Sequence, residues 1–453
     1  MPIEAAIAVH RYGLGARPGE LAAASADPRG WLLAQLHNGA DQPQPLDSEP
    51  LQSGAQITKR YIELARARRD ARMDGGSAKK DVDAFKEFLH EFLREMSARF
   101  ALGFTTQKPF AERLVWFWSN HFAVSAQSAA VGLAGPFERE AIRPHIAGTF
   151  EDMLVASTKH PAMLVYLSNA QSIGPDSLAG FISGKGLNEN LGREIMELHT
   201  LGVNGGYTQA DVIAMAKLLT GWSLDAASDT GFGYYHSRHE PGEIVLRGKS
   251  YPSGEDGGMA ALHDLARDPA TANHIARKFA AYFVADAPPQ SLVDSLAKNF
   301  RDTGGNLAAL GETLLKHEAA FAPPLGKMRE PVGYITATYR LMGWPRGNGD
   351  RAKQVAGAMA GARMLGEFPL AAPSPQGWPD KVESWSGPNS MLNRIDWARA
   401  VGEKLPDGFD AAALAEEGLG PLLNPATLSA MKSAKTSGEA VALLISTPEF
   451  QRR

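Results

Sequence analysis

Apolar residues recur along this chain at the three- and four-residue intervals of an amphipathic helix. That spacing predicts helices over 18–25, 28–36, 55–72, 82–102, 108–122, 136–145, 149–159, 188–201, 208–220, 257–267, 268–283, 289–303, 306–316, 330–342 and 351–365. Only "GFGYYHSRHEPGEIVLRGKSY" (231–251) reads as strand-like, where Pro241 and Gly242 divide two short aromatic and β-branched runs into a β-hairpin-like excursion. The expected fold class is therefore all-α, a large multi-helix body with one small β excursion. Residues 39–54, rich in Pro and Gly, predict an exposed linker, and the densely charged 68–81 predicts a mobile turn between helices. Residues 368–390 hold too much proline for a helix and too many aromatic residues for an idle linker. They predict an ordered loop packed over the body.

Composition narrows the function classes. The 453 residues are 44% hydrophobic and 21% charged, as in a soluble globular protein, and the length alone would allow about three ordinary domains. The longest apolar runs, such as Leu114 to Trp118, are far short of a membrane span, so no transmembrane segment is expected. With 46 basic and 50 acidic residues the net charge is -4, and no basic stripe interleaves with aromatic residues, which argues against nucleic acid. Zero cysteines exclude disulfides, thiolate metal sites and a cysteine nucleophile. The opening "MPIEAAIAVHRYGLGARPGE" lacks a basic region followed by a continuous apolar one. No signal peptide is expected, and a cytoplasmic location is the default.

The richest polar pattern is "NENLGREIMELHTLGVNGGYTQADVIAMAKLLTGWS" (188–223). At about 100° per residue, Asn190, Glu194 and Glu197 share a narrow stripe flanked by Glu189 and Arg193, Leu191, Ile195 and Leu198 form the apolar face, and His199 lies outside the stripe. A solvent-facing stripe with Glu189/Arg193 and Arg193/Glu197 ion pairs is one reading. A site wall is the other. After Gly202, Thr208 and Asp211 read as an N-cap and its acidic third position, opening a helix apolar almost all round. Such a helix is expected to be buried beside the Glu-rich one, which favours the wall.

Two further segments extend that site. "ERLVWFWSNHF" (112–122) leaves no wide polar face, so Asn120 and His121 are expected to be buried and to need partners, which Glu194 and Glu197 can supply; the alternative is a helix-end histidine capping carbonyls. His236, Arg238, His239 and Glu240 lie on the strand-like excursion, where Arg238 and His239 are expected to close the site. The resulting expectation is a buried Glu/His/Asn/Arg site with Glu194, Glu197 and His121 catalytic. Asn120, Asn190, Arg193, His199, Arg238, His239 and Trp222 are expected to bind. Paired carboxylates suit acid–base hydrolysis, with a glycan or related polymer as substrate. Imidazole and carboxylate converging from separate segments would also suit a divalent metal, although no HExxH motif is present and the metal is left open.

Other signals fail. "GLGARPG" (13–19) has neither the preceding strand nor the glycine spacing of a dinucleotide fingerprint, "GKS" (248–250) lacks the upstream glycine of a P-loop, and no GxSxG elbow occurs. Trp116, Trp118, Trp222, Trp378 and Trp385 could line a groove, but tryptophan is more often core.

Taken together, "FWSNHFAVS", "HPAMLVYLSN", "NENLGREIMELHTLGVNGGYTQADV", "LTGWS", "RHEPG", "DPATANHIARKFAAYFV" and "REPVGYITATYRLMG" resemble the bacterial family catalogued as domain of unknown function 1800 (DUF1800). The resemblance runs from "HRYGLGARPGE" past "QGWP" and implies one family-wide domain over 1–453. It also implies a helical protein, exported or surface-associated, encoded beside an alkaline-phosphatase-like partner that carries a twin-arginine signal. A non-catalytic partner or carrier of that protein, reaching the periplasm by co-export, is thus the competing function. It predicts an exposed apolar patch around Phe368 to Trp385. The family's lysine after the histidine, acid and glycine is displaced here: in "HEPGEIVLRGK", Glu243 and Ile244 stand at its place and Lys249 follows.

Overall fold

The computed structural model describes residues 1–73, 79–345, 350–405 and 410–453. Among them are 24 α-helices and two two-stranded antiparallel sheets, so the fold is all-α as the periodicity predicts. One hydrophobic cluster extends from Ile7 to Phe450. At its centre lies the helix Pro109–His121, started by a proline at its first turn, with every residue buried except Asn120. No helix of the described residues is long and apolar enough to cross a membrane.

Polar anchors reach through this core. Arg143, fully buried, holds Glu112 at 2.6 Å and Glu138 at 2.7 Å, and Glu138 also takes Arg99 at 2.8 Å. A buried guanidinium keeps its charge only with such partners. The segment 39–53 has no regular structure, yet it feeds the same system: Asp47 accepts from Arg94, and the carbonyls of Asp41 and Gln52 accept from Arg143 and Arg139. The charged stretch 68–81, expected as a turn, is helical at both ends: 68–73 finish the helix Gly54–Met73, 79–81 begin the helix Lys79–Thr105, and 74–78 lie outside the described residues.

The β excursion differs from its expected form. It is two hairpins rather than one: Trp222–Leu224 pairs with Phe232–Tyr234, and Ile244–Leu246 pairs with Lys249–Tyr251. Pro241 and Gly242 separate the hairpins instead of forming a turn within one. The second hairpin closes on Arg247 and Gly248, both at positive φ (50° and 78°), the two-residue turn whose twist matches the strands. Five helices between Pro388 and Gln451 also escape the apolar pattern, as do the buried opening turns Ile3–Ile7 and Ala8–Tyr12.

The Glu-rich helix is α-helical over Asn190–Glu194 and then widens into a π-turn over Ile195–His199. Its buried positions, 191/195/199 and 192/196, repeat every fourth residue, wider than the 3.6 of an α-helix. Gly192 permits the approach of the capped helix Gln209–Leu218, since a Cβ there would sit 2.8 Å from the Ala216 nitrogen.

Residues 368–390 form a strap that buries its own Phe368, Leu370, Ala371 and Trp385. The Trp378 indole donates to the Phe368 carbonyl (3.0 Å) and the Trp385 indole to the Pro379 carbonyl (2.9 Å).

Candidate functional site

The Glu-rich helix has two working faces. On the outer face Asn190 is exposed, while Arg193, Glu194 and Glu197 are half-buried. Arg193 pairs with Glu189 at 3.0 Å, and Gln209 bridges the two by accepting from Arg193 and donating to Glu189. That part is the surface ion pair of the simpler reading. Glu194 behaves differently: burial raises its pKa above the usual carboxyl range and Glu197 raises it further, with Arg193 opposing. Two phenols share the neighbourhood. Burial and then Glu194 push Tyr166 up to about 12, and Tyr207, raised first by burial, lies within hydrogen-bonding reach of Glu197.

On the inner face the π-turn ends in carbonyls that the helix itself leaves unpaired, and two imidazoles from elsewhere satisfy them. His121 Nε2 donates to the His199 carbonyl and His274 Nε2 to the Leu198 carbonyl, each at 3.1 Å. The His121 ring lies 6.3 Å from that of His199 and 6.2 Å from that of His274. Burial is the main reason all three resist protonation. Lys278 adds to it, leaving His121 well below its usual value, His199 at about 3 and His274 at about 4. Burial also lowers Lys278, to about 8, with Asp380 as the opposing charge.

His121 therefore caps carbonyls, but those of a second helix rather than its own. It reaches the Glu-rich helix from the inside, while Glu194 and Glu197 look outward. Asn120 goes elsewhere: its Oδ1 accepts from the Trp378 N–H (2.7 Å) and its Nδ2 donates to the Trp378 carbonyl (2.9 Å). Gly377, at φ 84°, is needed at that clamp because a Cβ would sit 2.5 Å from the Asn120 carbonyl oxygen.

The excursion residues form a third group, apart from Glu194 and Glu197 in their bonding. Arg238 donates to Ser223 Oγ and the Ala170 carbonyl. His239 donates from Nδ1 to the Thr220 carbonyl (2.8 Å) and accepts at Nε2 from the Gly254 N–H (2.8 Å), so both ring nitrogens are spent on backbone. Glu240 takes Lys217 at 2.6 Å. His236 is exposed, and Trp222 is core, its ring 5.5 Å from that of Phe232. Bonded in this way to Ser223, Ala170, Thr220 and Gly254, Arg238 and His239 stitch two loops together rather than cover the carboxylates.

Among the described residues no group of three or more His, Asp or Glu side chains is placed to hold a metal ion. Sequence reasoning missed Tyr166, Tyr207, His274 and Lys278. Only the last two left a signal, being four apart and so on one helix face in "NHIARK".

Comparison with known proteins identifies the family. The model of a family described as "Protein of unknown function (DUF1800)" covers residues 7–452, and neither a curated protein nor a solved structure matches the chain.

Proposed function

We propose, for a chain that belongs to the DUF1800 family and takes no chemistry from that membership, that the Glu194–Glu197 face is a hydrolytic site for a glycan or related polymer. The observation that carries this reading is the raised Glu194 carboxyl beside a second carboxylate. A group that holds its proton above the usual range can protonate a leaving oxygen, and its neighbour can serve as base or nucleophile. Tyr166 and Tyr207 offer rings and hydroxyls beside the pair, and half-exposure leaves room for a long substrate. His121 and His274 act here from behind, by fixing the carbonyl end of the helix that presents both acids.

The test is release of reducing ends from a panel of bacterial and plant polysaccharides. Glu194→Gln and Glu197→Gln are each expected to lower kcat by at least about a hundredfold, the scale of acid–base assistance, with the unfolding midpoint unchanged. Wild-type rates in both variants would remove the pair from any mechanism.

A second reading is favoured by one observation. The helix Leu178–Ser183 exposes Leu178 (64%), Phe181 (88%) and Ile182 (74%). A non-catalytic partner of an exported alkaline-phosphatase-like protein would use such a patch, here rather than over Phe368 to Trp385, whose large apolar residues are mostly buried. Co-export would then carry the chain to the periplasm. Phe181→Asp is expected to abolish co-purification with that protein from the native host while leaving any hydrolysis intact.

A further inference from the structure

Beneath the strap that Asn120 clamps lies a cavity of about 70 Å³, bounded above by Leu370, Trp378 and Asp380 and at the side by Trp116 and Val332. At roughly 10–15 Å³ per water centre it has room for about five waters, or for an organic molecule of about five to eight non-hydrogen atoms. Most of its wall is apolar. Two arginines break that wall, and both are almost completely withdrawn from the protein surface, Arg99 at 6% exposure and Arg453 at 1%.

Their hydrogen bonds are unevenly distributed. Arg99 binds Glu138 through Nε alone, so neither of its Nη groups has a partner among the described residues, while its guanidinium carbon sits 4.9 Å over the Trp116 ring. Arg453 gives Nη1 to the Tyr282 carbonyl (2.9 Å) and keeps Nη2 unpaired, with Nε 3.3 Å from Glu330 without hydrogen-bond alignment. Such N–H groups cost about 1–3 kcal/mol each if left dry. The charge count points the same way. Among the described residues Glu330 alone forms ion pairs with Arg113 (3.3 Å) and Arg453 (3.3 Å). Asp380 is engaged at the roof by Lys327, 3.7 Å away.

Glu367 completes the lining. Its hydrogen bond is accepted at Oε2 from the Val332 N–H, and Glu330, Arg99 and Arg394 are the charged groups facing it. Burial, then Glu330, lifts it to about 8, so at neutral pH it adds no negative charge to the cavity.

We propose that this cavity binds a small organic monocarboxylate, the carboxylate held by the unpaired Nη groups of Arg99 and Arg453 and the apolar body lying between Trp116 and Trp378. A guanidinium edge in a water-poor wall is the donor best matched to a carboxylate. Apolar walls then select an organic acid over an inorganic ion. The site is separate from Glu194 and Glu197 and stands whether or not they are catalytic.

Calorimetric titration of the full chain with butyrate, butyramide and chloride at pH 7 tests the proposal. Butyrate is expected to bind one to one and to change tryptophan fluorescence. Butyramide and chloride are expected to bind at least tenfold more weakly. Ala123→Leu, which fills the cavity without touching a charge, and Arg99→Met are each expected to weaken butyrate tenfold or more, with circular dichroism confirming a folded chain. Raising the pH to 9 weakens butyrate as Glu367 ionises, and Glu367→Gln removes that dependence. Butyrate binding no tighter than butyramide would overturn the proposal, and so would chloride matching butyrate. Undiminished butyrate binding by folded Ala123→Leu would place any binding elsewhere and overturn it as well.

Discussion

Glu138 sits 2% exposed between two guanidinium groups, and its ionisation is decided by charge rather than by burial. Burial opposes the carboxylate, yet Arg99 and Arg143 hold it at about 2. Removing its charge leaves Arg99 without its carboxylate and Arg143 with Glu112 alone, so Glu138→Gln is expected to lose about 3–5 kcal/mol of stability in urea unfolding. A loss below about 1 kcal/mol would mean that the network behaves like a surface pair. Glu367 predicts the opposite pH trend. An unperturbed glutamate releases its proton near 4.5, but the folded chain keeps this one until about 8. Its contribution is therefore complete below about 4.5 and drains away as the pH rises to about 8. Wild-type stability is expected to decline between pH 6 and 8 by more than that of Glu367→Gln; equal slopes would refute the assignment. His10 and His199, each brought to about 3 mainly by burial, work on the acid side. Unfolded imidazoles take protons near 6.5 and these do not, so their stabilisation is lost as the pH falls from that value toward about 3.

The paired helices Asn190–Glu194 and Gln209–Leu218 carry the predictions that belong to elements. Thr208 and Asp211 form a reciprocal capping box, and Asp211 also accepts from the Arg247 N–H of the second hairpin at 2.7 Å. Thr208→Ala is expected to cost about 1 kcal/mol by chemical denaturation. Gly192→Ala pushes a methyl into the Ala216 backbone and is expected to cost about 1–3 kcal/mol. A neutral outcome would show that the two helices can separate. This cap was readable from sequence because its parts lie three residues apart. The π-turn was not: wheel spacing assumes 3.6 residues per turn, and the widening depends on the neighbouring helix. The helix Pro388–Gly402 escaped for another reason, since Leu392 (60%) and Ile395 (42%) lie exposed on it and blur the apolar stripe. Likewise the excursion's first strand lay outside the aromatic run, at Trp222–Leu224, just past the helix predicted over 208–220.

Across the molecule, local chemistry was legible and long-range pairing was not. The raised carboxyl at Glu194 lies within the stripe that periodicity marks out, but Asn120 finds Trp378 at a separation of 258 residues and His121 finds the His199 carbonyl at 78. Nothing in a helical wheel encodes either partner. The cavity beneath the strap is the extreme case, assembled from Arg99, Glu330, Glu367 and Arg453, none of which the polar pattern of the sequence singles out. The same remoteness governs how the chain comes together. His10 meets the Gly418 carbonyl, Arg11 donates to the Ala320 carbonyl, and Arg329 joins His10 to the Phe450 carbonyl. During synthesis the opening helix thus leaves the ribosome hundreds of codons before anything that can accept its buried imidazole and guanidinium. A nascent chain stalled ahead of residue 320 is expected to leave that helix open to protease. Native closure becomes a late event, and chaperones have a long interval in which to act.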